Sequence, residues 1–281
     1  MGELLALTSA LCFGVTHFVS GLISRRHHGV TVAACAQTSG TAVSLVPVLL
    51  THAAPAPPSA LAWGVLSGVG TGVGVACLYR AMNTGPMSVV VPVSDITAVG
   101  VPVAAGIALL GDRPSPSALT GIALALPALW LISRGGTGAH ARTEARAAPS
   151  ALALVAGLGL AVQFFALARI PAGAAWWPIA VSRAASVAVI LALFPAMGAS
   201  VRLPRRAAAT AAGAGALGTL AIVLYLLATR QELLSVAVVL SALYPAVPVL
   251  LALTVLRERI TRPQAAGLLG AGAALALIAL G

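Results

Sequence analysis

Long apolar stretches fill the chain, and its polar residues are confined to short intervals between them. The runs fall at about 3–23, 30–50, 59–79, 88–110, 117–133, 150–168, 175–198, 207–228, 234–256 and 264–280. Helix rises about 1.5 Å per residue, so runs of this length match the ~30 Å hydrocarbon core of a bilayer. They are apolar on every face, whereas the strands of a membrane barrel alternate apolar and polar over about ten residues. The pattern therefore predicts an all-α membrane protein with ten transmembrane helices and almost no chain left for a soluble domain. The first run follows Met1-Gly2-Glu3, which lacks the basic stretch of a secretory signal, and is expected to remain as the first helix.

The pattern also repeats. Laying residues 3–135 on 149–281 with a constant shift of 146 and no gap brings Tyr79 onto Tyr225, Pro102 onto Pro248 and Asp112-Arg113 onto Glu258-Arg259. Gly121 falls on Gly267, Phe18 on Phe164 and Gly72 on Gly218. Each half holds five runs, an odd number, so two copies of one unit must enter the bilayer in opposite senses. This predicts two inverted five-helix repeats, 1–135 and 150–281, joined by a linker at 136–149 that is polar and rich in Gly, Arg and Ala. Inverted repeats of this kind are the architecture many secondary transporters use to alternate access to a midplane site.

Composition fits a membrane bundle: 59% hydrophobic, 8% charged, with a mean hydropathy of +1.02, against roughly a quarter charged in a soluble domain. The net charge of +10 comes from arginine, there being no lysine. Without a basic soluble face it does not point to nucleic acid; loop arginines set membrane orientation instead. Arg25, Arg26, Arg80, Arg134, Arg142, Arg146, Arg202, Arg205, Arg206, Arg257, Arg259 and Arg262 fall on one side of the predicted helices, and Arg113, Arg169 and Arg230 on the other. That asymmetry places the odd-numbered loops in the cytoplasm and both termini outside. Cys12, Cys35 and Cys77 all lie within runs and form no CxxC, so neither a disulfide framework nor a metal site is expected, and no cofactor is implied.

Small residues four apart mark helix contacts: Gly68 and Gly72, Gly70 and Gly74, Ala214 and Gly218, Gly267 and Ala271, Gly270 and Ala274. Proline interrupts the fourth run at Pro92 and Pro102 and the ninth at Pro245 and Pro248. Each removes a backbone donor and tends to kink its helix. Interruptions at corresponding places in two halves are the best sequence pointer to a transporter's site, so Pro102 and Pro248 are read as paired kinks.

Taken in order, these motifs resemble the EamA-type repeat of the drug/metabolite transporter superfamily, once per half. The second half carries Leu224-Tyr225, then Tyr244-Pro245, then Leu256-Arg257-Glu258-Arg259-Ile260-Thr261 and Gly267; the first carries Leu78-Tyr79-Arg80-Ala81, Pro102, Leu110-Gly111-Asp112-Arg113 and Gly121. The resemblance covers essentially the whole chain. It implies a ten-helix fold with a central cavity lined by the first, third, fourth, sixth, eighth and ninth helices. It also implies transport, often export, of small metabolites or drugs, commonly driven by the proton gradient. Asp112 stands where such repeats more usually show Glu, and Phe13-Gly14 where Trp-Gly is typical.

Only two formal charges fall well inside runs: Asp95, within Pro92-Val-Ser94-Asp95-Ile-Thr97, and Arg183. An ionisable group at mid-bilayer costs a few kcal/mol even on lenient scales, so each needs a reason. Asp95, with Ser94 and Thr97 beside it, is a candidate substrate or proton site, against a purely structural buried role. Arg183 is a candidate counter-charge or binder of an anionic substrate group, against a structural bond to backbone carbonyls. Under the shift Asp95 matches Ser241 and Arg183 matches Gln37, so all four positions are polar. His17 matches Gln163; histidine titrates near neutral pH and is a candidate proton relay, although packing alone would also explain it. Ser241, Tyr244 and Pro248 share one helix face and are read as cavity lining. Tyr79 and Tyr225, near run ends, are read as interfacial anchors. Asp112-Arg113 and Glu258-Arg259 lie in tight loops, where helix capping and gate-closing ion pairs are both open.

The reading that follows is a secondary transporter of small organic solutes in the bacterial inner membrane. Its expected partners are a small-molecule substrate, the lipid bilayer and protons, with no nucleic acid and no obligate protein. There is no Walker A pattern for ATP. An enzyme would want a helix-borne carboxylate pair, HExxH or a Ser/His arrangement. A translocator of a lipid or lipid-linked precursor shares the fold logic and is the alternative.

Overall fold

The computed structural model describes residues 1–24, 26–84, 87–133, 147–174, 176–198, 202–254 and 261–280, with the side chains of 82–84, 87–89, 91–92, 133, 147–150 and 252–253 excepted. Those residues form helices and connections. In chain order the helices are α1 (Gly2–Ser24), α2 (Gly29–Leu50), α3 (Pro58–Thr84), α4 (Met87–Leu109), α5 (Pro116–Ser133), α6 (Ala147–Ala168), α7 (Trp176–Met197), α8 (Arg205–Ala228), α9 (Leu234–Ser241), α10 (Ala246–Thr254) and α11 (Arg262–Ala279). Among the described residues, seven segments are long and apolar enough to cross a membrane: α1, α2, α6, α7, α8, most of α3, and 234–251. The stretches Val93–Leu109 and Pro116–Ile132 are apolar but shorter. Most of the predicted linker falls on 134–146, outside the described residues, and its last positions, from Ala147, already belong to α6.

The bundle is apolar outside, and its largely apolar interior also holds polar residues. Leu4, Leu11, Val46, Leu49, Leu154, Leu158 and Leu269 are exposed, whereas Ser9, Ser67, Ser94, Gln163, Ser182, Arg183, Thr219 and Ser241 are buried. Water would penalise such a surface; hydrocarbon does not. Without a hydrophobic drive between helices, small residues and cross-helix hydrogen bonds hold the interior together.

Helix partners are shared between the halves. α3 packs on α6 and α7, and α8 on α1 and α2; α4 packs on α6, and α9 with α10 on α1; α2 packs on α7, and α5 on α11. Exchanging α1 with α6, α2 with α7, α3 with α8, α4 with α9–α10 and α5 with α11 returns the same set. The symmetry reaches single atoms at the α5–α11 contact. A Cβ on Gly121 would lie 2.8 Å from the Ala274 carbonyl oxygen, and one on Gly267 would lie 2.8 Å from that of Ala128. These are crosswise repeat mates. The two small-residue stripes of α3 serve different neighbours: Gly68 and Gly72 face Ser182, Ala185 and Val189 of α7, while Gly70 and Gly74 face Gly159 and Ala156 of α6.

The ninth run is two helices. α9 ends at Ser241, residues Ala242–Pro245 form a turn, and α10 begins at Ala246. Pro245 has no N–H for the Ser241 carbonyl and Pro248 none for that of Tyr244. The Tyr244 oxygen accepts instead from Val247 N at 3.0 Å, and Ala246 N donates to Leu243 O at 3.1 Å, a tighter winding. Its counterpart α4 runs unbroken from Met87 to Leu109 with Pro102 inside it. The two halves therefore differ at the very elements the paired prolines mark.

Candidate functional site

The broken helix aims a side chain inward. Tyr244, in the turn between α9 and α10, donates its Oη to Asp95 Oδ1 of α4 at 3.0 Å. Asp95 is only 5% exposed. Its neighbours on α4 explain its direction: Thr97 bonds back to the Val93 carbonyl at 2.7 Å, and Ser94 and Thr97 form the surface that meets α6. At Gly157 of α6 a Cβ would stand 2.5 Å from Thr97 Cβ and 2.6 Å from Ser94 O. With those two residues turned to α6, Asp95, one residue and about 100° further round the helix than Ser94, meets the break in the opposite half.

α1 supplies the third group. The His17 ring stacks on Tyr244, centroids 4.8 Å apart and planes 26° apart. His17 is otherwise exposed, so it does not pack as a core histidine. Phe13, one turn before it, touches His17 at 6.5 Å, Tyr244 at 6.3 Å and Phe164 of α6 at 6.2 Å between centroids. α1 reaches the break because Gly14 lets it: a Cβ there would sit 2.7 Å from the Tyr244 carbonyl oxygen. The result is an aromatic wall carrying an imidazole, with a hydrogen-bonded carboxylate behind it. Such a site can take up a proton, balance a cation and grip an organic body.

The other sequence-predicted residues fall elsewhere. Gln163, the repeat mate of His17, accepts from Thr71 Oγ1 of α3 at 2.5 Å and is buried away from Tyr244. Ser241, the mate of Asp95, is fully buried and donates to the Ala6 carbonyl at 3.4 Å, tying α9 to α1. Arg183 and Gln37, also mates, touch each other: Nη1 donates to Gln37 Oε1 at 2.5 Å, putting the pair on the pseudo-twofold axis. Pro102 is buried in α4 and Pro248 half-buried in α10. Asp112 reaches from the α4–α5 loop to the start of α9, its Oδ2 accepting from Ser235 N at 2.8 Å, a carboxylate placed where a helix N-terminus favours it. Arg113 beside it is exposed. Glu258 and Arg259 lie outside the described residues.

Sequence reasoning missed three participants. Phe13 was visible only as a departure from the usual motif. Thr71 sits between Gly70 and Gly72, hidden inside a small-residue stripe. Tyr225, expected as an interfacial anchor, is fully buried and donates to the Phe164 carbonyl at 3.0 Å, its ring 5.0 Å from that of Phe164. The signal was there, since both aromatics are matched across the repeat. A separate surface pocket lined by Leu22, Ile23, Arg26, His27 and Ala207 opens between the end of α1 and the start of α8.

Residues 1–134 match the EamA-like transporter family. A probable terminal-alkyne amino-acid exporter of Streptantibioticus cattleyicolor is 33% identical over 138 residues, which span 46% of this chain and 44% of the exporter. A crystal structure described only as that of a protein superposes with a TM-score of 0.76 at 18% identity, covering 99% of this chain and 96% of the other. That likeness establishes the fold across both halves. The chain is a multi-pass membrane protein whose residues 1–134 match the EamA-like transporter family.

Proposed function

We propose that this chain is a secondary transporter that exports small organic solutes across the bacterial inner membrane, using proton-coupled alternating access of its two halves, 1–135 and 150–281, in inverted topology. The observation that carries the reading is the Tyr244–Asp95 bond at 3.0 Å, made between an unbroken helix of one half and the break in the other, with His17 stacked on it. A contact between halves at a broken helix is where rocking of one half against the other opens or closes a path. A buried carboxylate that exchanges a proton or a cationic group for the tyrosine hydroxyl would couple that movement to binding. The reading is non-enzymatic. Amino acids are the first solutes to test, because the exporter matched over part of the chain is named for them.

Proteoliposomes loaded with a radiolabelled amino acid, under an imposed pH gradient, test the reading. Efflux above that of empty liposomes, abolished by collapsing the gradient, is expected. Efflux unchanged by the gradient would remove proton coupling, and none for any amino acid or drug would remove the transport reading. Competition by lipid-linked precursors alone would favour the lipid translocator.

A further inference from the structure

Of the two charged side chains buried among the described residues, the site above uses only Asp95. Arg183 is 5% exposed. Its Nη1 donates to Gln37 Oε1, while Nε and Nη2 are buried without a hydrogen-bond partner. A guanidinium presents five N–H donors in a rigid fork shaped for a carboxylate, and it stays charged when buried. Gln37 is neutral and answers one donor. A buried cation left so incompletely paired is costly unless something else completes it.

The unpaired Nη2 lies against Gly218 of α8, with Thr16 of α1 beside it. A Cβ there would meet Thr16 Cγ2 at 3.4 Å, Arg183 Nη2 at 3.6 Å and Thr16 Oγ1 at 3.7 Å, all ordinary contact distances. Its repeat mate Gly72 is closed: a Cβ there would stand 2.6 Å from Val189 Cβ and 3.0 Å from the Ser186 carbonyl oxygen. Symmetric packing would have shut both. Instead Gly40 replaces its mate Ser186, and the Arg183 head occupies that side, its Nε 3.3 Å from where a Gly40 Cβ would be. The twofold is thus broken to admit a charged fork whose Nη2 lies against a glycine with room for a methyl at contact distance.

We propose that Arg183, held by Gln37 and facing Gly218 and Thr16 with Nε and Nη2 unpaired, binds the carboxylate of the transported solute. This deepens the transport reading and rests on it for the word "transported". An amino acid carries both signs of charge, and the bundle buries one group of each sign, Arg183 and Asp95. The class of solute is therefore one bearing a free carboxylate, and its amide is the poor ligand.

Purified full-length protein in nanodiscs tests this by thermal shift with propargylglycine, its carboxamide and sodium chloride. The amino acid should bind wild type at least about tenfold more tightly than the amide, the scale of one charge-assisted hydrogen bond. Arg183→Gln should lose that preference. Gly218→Ala, whose methyl fits at contact distance and so leaves the fold intact, should bind the amino acid several-fold more weakly, and it keeps the test open if Arg183→Gln misfolds. Equal binding of acid and amide by wild type overturns the proposal, as does a full preference in Arg183→Gln, or stabilisation by chloride with none by the amino acid. Because the readout is binding, a chain that selects the carboxylate but moves nothing would defeat the transport reading alone. A chain that moves solute without regard to the carboxylate would defeat only this site.

Discussion

The α5–α11 contact and the centre of the bundle start from the same duplication and end in opposite conditions. At the contact, a Cβ on Gly121 or on Gly267 would stand the same 2.8 Å from the facing carbonyl oxygen, of Ala274 or of Ala128, and mates are interchangeable. At the centre each mate has diverged: Asp95 against Ser241, His17 against Gln163, Arg183 against Gln37. The polar member reaches a partner for which its mate has no equivalent, as Asp95 reaches Tyr244, whose own mate is Ala98. Packing between helices in lipid depends on close backbone approach, which two small residues satisfy in either half. Recognition of a solute depends on groups of unlike chemistry, which two identical halves cannot supply. Symmetry therefore survives at the structural contact and is lost at the proposed site.

That contrast can be broken from either side. The largest effect is expected at the contact. Gly267→Val or Gly121→Val drives a side chain into a backbone carbonyl, beyond the ~1–3 kcal/mol of ordinary overpacking, and should abolish the monodisperse peak on size exclusion in detergent. Two well-folded variants would show that the contact is not structural. Next, Tyr244→Phe removes the bond to Asp95 and keeps the ring on His17. Transport should fall about tenfold or more with no change in melting temperature, and a drop in stability without a drop in flux would make the bond structural. Asp112→Ala removes the cap of α9 and should cost about 1 kcal/mol in thermal unfolding, with Asp112→Asn closer to wild type. Equal losses in both would point to charge, not capping. The smallest effect is Arg113→Ala, an exposed side chain, within about 0.5 kcal/mol. A large loss of flux there would revive the gate-closing ion pair.

Much of this was legible in the sequence, and the reason is periodicity. Apolar run length gave the helices, and the shift of 146 gave mates whose contacts the fold repeats. The shift even put Arg183 on Gln37, two residues that turn out to touch. What the sequence withheld was direction. Ser94, Asp95 and Thr97 read as one polar cluster, yet the fold spends Ser94 and Thr97 on α6 and leaves Asp95 for Tyr244. Pro102 and Pro248 read as equivalent kinks, yet α4 continues through Pro102 while the opposite helix breaks over Ala242–Pro245, ahead of Pro248. There Pro245 and Pro248 fall three apart and remove successive donors from one turn. Tyr225 lies near a run end, but its hydroxyl finds the Phe164 carbonyl, so it is buried. These outcomes depend on which neighbour each face meets, and a single chain's pattern does not encode that.

The measurement that bears most directly on the asymmetric centre is proton movement in sealed proteoliposomes carrying a pH dye. Wild type and Asp95→Asn are run side by side and challenged with pools of amino acids, nucleosides and cationic drugs. The account predicts a solute-dependent pH signal in wild type that disappears in Asp95→Asn while that variant still elutes as folded protein. An undiminished signal in Asp95→Asn would contradict it, because the buried carboxylate at the break would then have no part in coupling.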